Sequence, residues 1–236
     1  MDIAPASPKK AYKSLPLEGT LAAWYARNTA KSLADFEADA RRIAPRLAPG
    51  SRVLEIAPGP GYLAVALAGM GPYRISGLDI SRSFVRIAAE NAAGAGVEID
   101  VRHGDAAHMP YGDGAFDFIV CRAAFKNFTD PVGALREMHR VLAPGGEALI
   151  IDLRKDVSNA EIDTAVGRMG LGAMDALITK AIFKHSLRPR AYCRADFQRM
   201  AAATPFGDAE IIADAIGHDV WLRKAKAGNE SVANLG

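Results

Sequence analysis

The stretch Val53-Leu-Glu-Ile-Ala-Pro-Gly-Pro-Gly61 runs directly into Tyr62-Leu-Ala-Val-Ala-Leu-Ala68. An apolar strand carrying one acid therefore meets a glycine-proline loop, and the loop opens an apolar helix. Glycines at 59 and 61 let the backbone approach a ligand closely, and the helix N-terminus directs unpaired N–H groups at it. The unit repeats outward from here. Strand-like segments at 52–56, 74–79, 98–103, 116–121 and 147–153 alternate with helix-like segments at 63–70, 81–93 and 131–141. Parallel neighbours need helical crossovers, so the alternation predicts a doubly wound, mostly parallel sheet with its ligand crevice at the strands' carboxyl ends.

Upstream, Leu21, Trp24, Tyr25, Leu33, Phe36, Ala40, Ile43 and Leu47 recur at helical spacing with a break near Asn28-Thr29. This predicts two helices, and residues 1–48 are expected to form a helical cap on a domain spanning 49–236. Past Leu153 the strand-helix rhythm stops. A helical stretch over 159–184 leads into His185-Ser-Leu-Arg-Pro-Arg190, so an insertion at about 157–192 is expected to lie over the crevice as a lid. Within it, Met169, Leu171, Met174, Leu177 and Ile178 are expected to form lid core. A helix at 195–203 and two strands at 209–213 and 219–223 complete seven strands, and the tail from Ala227 is expected to fray.

Composition narrows the partners. The 236 residues are 50% hydrophobic and 24% charged with a net charge of only +2, so no single-signed field favours nucleic acid. Cys121 and Cys193 lack metal-ligand spacing, and no metal site is expected. The start of the chain has no apolar signal core and no run is long enough to span a membrane, which points to a cytoplasmic protein acting on a small molecule. A homodimer is compatible with these features.

Glu55 stands four residues before Gly59, where its charge would repel a pyrophosphate but suits a cation such as the α-amino group of an amino acid. Asp79 in Gly77-Leu-Asp-Ile-Ser81 ends the second strand, where a carboxylate accepts from both hydroxyls of a ribose. Asp105 in Arg102-His-Gly-Asp-Ala-Ala107 ends the third and is suited to an adenine amino group. Gly59-Pro-Gly-Tyr-Leu-Ala64 also satisfies the dinucleotide fingerprint, so an NAD-dependent oxidoreductase stays open, as does a non-catalytic nucleotide-binding protein. The oxidoreductase gives no account of Glu55 together with Asp105.

Over roughly residues 50–155 the chain resembles the class I S-adenosylmethionine-dependent methyltransferases, whose fold is Rossmann-like. The resemblance implies S-adenosylmethionine as cofactor, with Glu55, Ala57, Gly59 and Gly61 around its methionine part. Asp79 would hold the ribose, Ile80 would pack on adenine, Asp105 with Ala106 would meet the adenine edge, and Cys121 would complete the contacts. Ala57 departs from the family loop, which usually has glycine there; its methyl group is compatible with the loop when φ is negative. Phe116-Asp-Phe-Ile-Val-Cys-Arg-Ala-Ala-Phe-Lys-Asn-Phe-Thr-Asp130 is similar to the strand-four region of quinone-biosynthesis C-methyltransferases and hints at an aromatic or prenylated acceptor.

Tyr25, Arg122, Lys126, Asn127 and His185 are the candidate acceptor contacts, with Trp24 nearby on the cap. Arg188, Arg190 and Arg194 could bind an anion or form a solvated loop. Transfer from a sulfonium is an in-line displacement in which positioning can suffice; where a proton must leave, Asp130, Asp152, His185 and His218 are the candidate bases.

Overall fold

The computed structural model describes residues 12–13 and 17–226; the expected fraying from Ala227 lies outside them. The strands are β1 (Arg52–Ile56), β2 (Arg74–Asp79), β3 (Ile99–His103), β4 (Phe116–Arg122), β5 (Leu142–Leu153), β6 (Glu210–Ala213) and β7 (Gly217–Arg223). They form one sheet in the order β3-β2-β1-β4-β5-β7-β6. All pairings from β3 through β5 are parallel, and only β7 runs against its neighbours β5 and β6. The expected doubly wound α/β sheet of seven strands is therefore present. Its strand order reverses between β1 and β4, which opens a crevice at their carboxyl ends.

Helices α1 (Gly19–Thr29), α2 (Leu33–Ile43), α3 (Tyr62–Ala68), α4 (Arg82–Gly94) and α5 (Pro131–Val141) are followed by α6 (Asn159–Gly167), α7 (Ala173–Ile182) and α8 (Arg194–Ala202). Period-two alternation sorts β1 between two layers. Val53 joins Phe36, Ile43, Leu63 and Leu67 on the side of α2 and α3, whereas Leu54 and Ile56 join Leu135, Met138 and Phe197 on the side of α5 and α8. Glu55 therefore points toward the cap helices, as does Arg122, which keeps step with Phe118 and Val120 of β4 in that same layer. Burying these strands on both faces is what a parallel sheet requires.

The expected lid is α6, α7, a single π turn at Phe183–Leu187 and a 3-10 turn at Arg188–Arg190. Ser158 starts α6 through a capping box with Glu161, and Arg154 pairs with Tyr192 where the insertion returns to the sheet. A small core of Val157, Ile162, Val166 and Ala191 holds it together. The apolar run expected inside this core lies outside it instead. Met174 is 69%, Leu177 64% and Ile178 51% exposed, and α7 has no buried residue. The reason is geometric: α7 packs through Ala176 and pairs Lys180 with Asp163, which turns its larger apolar side outward.

Candidate functional site

A cavity of about 470 Å³ lies at the β1/β4 reversal, within the range of small-molecule sites. Its floor is Glu55, Ala57, Pro58, Gly59 and Asp79; α1 contributes Tyr25 and Thr29, and the lid contributes Ile182, Leu187 and Arg190. A narrow extension, sharing Tyr12, Ala57 and Ile80 with this cavity, is lined also by Asp105, Ala106 and Phe128.

Glu55 is 2% exposed, and its Oε2 has no hydrogen-bond partner. Burial pushes its carboxyl up to about 8, against a backbone N–H of Ala64 and the nearby Arg122 charge, which pull it down. A buried carboxylate with an orphaned oxygen facing a cavity calls for a cationic donor. Arg122 lines the same cavity; its Nε donates to Asp39 at 2.6 Å, and its guanidinium lies 4.1 Å over the Phe36 ring.

Asp79 accepts from the N–H of Gly59 at 3.0 Å and of Ser81 at 2.8 Å, one on each oxygen. Burial raises its carboxyl to about 6, and those two N–H groups hold it lower than burial alone would. Each oxygen keeps a lone pair for a ligand hydroxyl. The loop between these acids is tightly built. Gly61 has φ +79°, and a Cβ there would come within 2.9 Å of Ala88, so its glycine is needed for packing as well as for the turn.

Ala57 corrects the expectation made for it: its φ is +55°, the left-handed region where glycine is at ease. Its N–H donates to Leu78 O at 2.8 Å, which pins the strained residue between β1 and β2. Ala123, at φ +57°, is a second strained residue on the cavity wall.

Asp105 is drawn into its own turn, with one oxygen accepting from the Ala107 N–H at 3.0 Å and the other facing His108 Nδ1 at 3.1 Å. Cys121 is fully buried in the layer beneath and does not line the cavity, because its place in β4 points it toward α5 and α8. His185 is exposed on the π turn, away from the lining, since that turn carries Leu187 inward instead.

Lys126 and Asn127 do reach the cavity. Lys126 Nζ meets Asp152 Oδ1 at 2.7 Å and also donates to Ala123 O, the pair being 4% and 2% exposed. Asn127 donates to Tyr12 at 2.8 Å and accepts from Arg190 at 3.2 Å, joining the sheet to the lid. The candidate bases fare differently. Asp152 is consumed by Lys126 and by the N–H groups of Lys126 and Leu153, and Asp130 caps α5 through Gly133. His218 is buried behind the sheet, where desolvation lowers its pKa. Of the remaining arginines, Arg188 binds Asn159 and Arg194 binds the Ile211 carbonyl. Asp39, the partner of Arg122, escaped sequence reasoning: the two are 83 residues apart, and only the fold brings them together.

Residues 54–150 match the family model for the methyltransferase domain. Over that stretch, less than half of its length, the chain is similar to a methyltransferase domain. Over 102 residues it is 37% identical to a demethylmenaquinone methyltransferase from Thermus thermophilus, covering 43% of this chain and 46% of that protein. Over 109 residues it is 37% identical to the ubiquinone/menaquinone biosynthesis C-methyltransferase UbiE of Cupriavidus pinatubonensis, covering 45% of each. The chain thus spans about half the length of the curated relatives it matches. Among solved structures, a candidate S-adenosylmethionine-dependent methyltransferase from Methanococcus maripaludis superposes with a TM-score of 0.70 at 22% identity, covering 90% of this chain and 96% of that one. The [4+2]-cyclase SpnF superposes at 0.55 with 22% identity, covering 80% and 81%. The methyltransferase-domain fold therefore does not fix the chemistry by itself. The resemblance implies S-adenosylmethionine as cofactor, and Glu55 fits that group: the orphaned buried carboxyl faces the cavity and is suited to an ammonium group. No helix among the described residues is long and apolar enough to cross a membrane.

Proposed function

We propose that the chain transfers the methyl group of S-adenosylmethionine to a small, largely apolar acceptor, aromatic or prenylated in character, and that it does so in the cavity at the β1/β4 reversal. The observation that carries this reading is the buried, unpaired Glu55 oxygen beside the Arg122 guanidinium in one cavity wall. An amino-acid head group has one positive and one negative end. Glu55 takes the ammonium group and Arg122 the carboxylate, which moves Arg122 from the acceptor to the cofactor. A dinucleotide, with its anionic pyrophosphate, has no use for Glu55. Asp79 accepts from the ribose hydroxyls, and Ile80 and Ala106 flank the adenine in the narrow extension.

The cofactor supplies an electrophilic methyl group on sulfur. Tyr12, Asn127 and Arg190 form a hydrogen-bonded rim that orients the acceptor, while Tyr25, Ile182 and Leu187 exclude water. Lys126, held by Asp152, contributes a fixed positive charge to the same wall. The relatives named for quinone biosynthesis support an acceptor of this type, and we read residues 1–48 as a cap and 49–236 as the catalytic domain. A small molecule, rather than nucleic acid, fits the modest net charge.

Parallel calorimetric titrations with S-adenosylmethionine, S-adenosylhomocysteine and NAD test the cofactor, and methyl-labelled S-adenosylmethionine with a panel of hydroquinones and phenols tests the transfer. Micromolar binding of the first two ligands and label in an organic extract are expected. Binding of NAD alone, or cofactor binding without label in any acceptor, would overturn the reading.

A further inference from the structure

Two helices that line the cavity carry exposed apolar faces, of which Tyr25 is partly covered by an edge contact with the Phe84 ring, centroids 5.6 Å apart. On α1, Leu21, Trp24 and Tyr25 are 52%, 55% and 38% exposed and fall at i, i+3 and i+4. On α7, Met174, Leu177 and Ile178 repeat the same spacing. Both helices reach one cavity, α1 through Tyr25 and Thr29 and α7 through Ile182. Two outward apolar stripes framing one opening exceed the scattered exposure normal for a protein surface.

The charges around these stripes are mostly basic. Residues 19–32 contain Arg27 and Lys31 and no acid, and residues 168–190 contain five Lys/Arg against the single acid Asp175. Lys180 and Lys184 share the one carboxylate of Asp163, and Arg188 and Arg190 bind only neutral groups. Among the described residues, Arg27, Lys31 and Arg168 have no ion-pair partner. Elsewhere the arginines are mostly paired, as Arg42, Arg52 and Arg140 are.

Exposed aromatic and aliphatic side chains with unpaired cations beside them match the interface of an anionic bilayer, where the apolar side enters the acyl boundary and the cations meet headgroups. We propose that α1 and α7 form a docking surface for anionic lipid, which brings the cavity mouth to the membrane surface. A second copy of the chain would bring like charge against like charge around this collar. The inference does not rest on the proposed chemistry, because docking is read without any turnover.

Sedimentation of the full chain with phosphatidylcholine vesicles, alone or with about 30% phosphatidylglycerol, tests it. Pelleting with the anionic vesicles is expected to exceed that with neutral ones by at least about tenfold and to fall as salt is raised. The triple variant Met174→Ser, Leu177→Ser, Ile178→Ser should pellet about tenfold less, with an unchanged near-ultraviolet circular dichroism spectrum. Equal pelleting of the variant, no pelleting with anionic vesicles, or a concentration-dependent dimer abolished by the same substitutions would each overturn the proposal. A second variant, Arg27→Gln with Lys31→Gln and Arg168→Gln, should remove the preference for anionic vesicles; its persistence would likewise count against docking by charge.

Discussion

The strand ends beneath the glycine loop and the helix above it treat apolar side chains in opposite ways. β1 holds Val53, Leu54 and Ile56 at 1% exposure or less, whereas α7 leaves Met174 69% and Leu177 64% exposed. The same contrast holds for charge. Below, Glu55 and Asp79 are buried and their carboxyls are pushed up; above, Arg168 is exposed and Arg188 and Arg190 are half-buried against neutral partners. The pocket proposed to hold a charged cofactor is fixed by the sheet, and the surface proposed to admit an acceptor is hung from it. The first has its energy in burial and backbone hydrogen bonds, the second in little more than a small satellite core.

The contrast is broken most severely at the floor. Asp152→Ala leaves Lys126 charged, buried and unpaired, so we expect a loss of about 3–5 kcal/mol, read by denaturant unfolding. A loss under about 1 kcal/mol would show that the floor relaxes as the lid does. Arg122→Met should weaken S-adenosylhomocysteine about tenfold and leave 5′-methylthioadenosine, which lacks the amino-acid head, unchanged. Equal losses for both ligands would place Arg122 in general packing over Phe36 instead. At the strained corner, Ala57→Gly relieves a positive φ at the cost of a freer unfolded chain, and a small gain of up to about 1 kcal/mol is expected in thermal unfolding. The smallest effect belongs to the lid face: Leu177→Ser should change stability by no more than about 0.5 kcal/mol, because the side chain has no packing to lose.

Where the sequence was readable follows from the same division. The alternation of strands and helices, the loop over 57–61 and the acids at 55 and 79 are local patterns, and the sheet turns each into a position by period two and strand order. Asp39 with Arg122 and Lys126 with Asp152 are contacts between distant segments, with no signature in spacing. The sign of φ at Ala57 depends on the hydrogen bond to Leu78, which belongs to another strand. On α7, helical periodicity located an apolar face correctly but not its direction, since the pattern is the same whether that face meets a core or solvent. His185 misled for a related reason: a π turn shifts which residues face inward, and Leu187 and Arg190 reach the cavity instead.

The central claim, that Glu55 anchors the cofactor's ammonium group, has a pH signature. The free protein favours a protonated Glu55 up to about pH 8, so binding a cation must release that proton at lower pH. For folding the sign is the reverse of a salt-bridged acid: with its carboxyl raised, Glu55 contributes stability that is lost as pH rises from the ordinary carboxylate range toward 8. Calorimetry of S-adenosylhomocysteine binding at pH 6 and pH 8, in the wild type and in Glu55→Gln, measures this directly. The account predicts at least about tenfold tighter binding at the higher pH in the wild type and a nearly flat response in the variant. The same pH response in both proteins, or undiminished affinity in Glu55→Gln at pH 8, would contradict it.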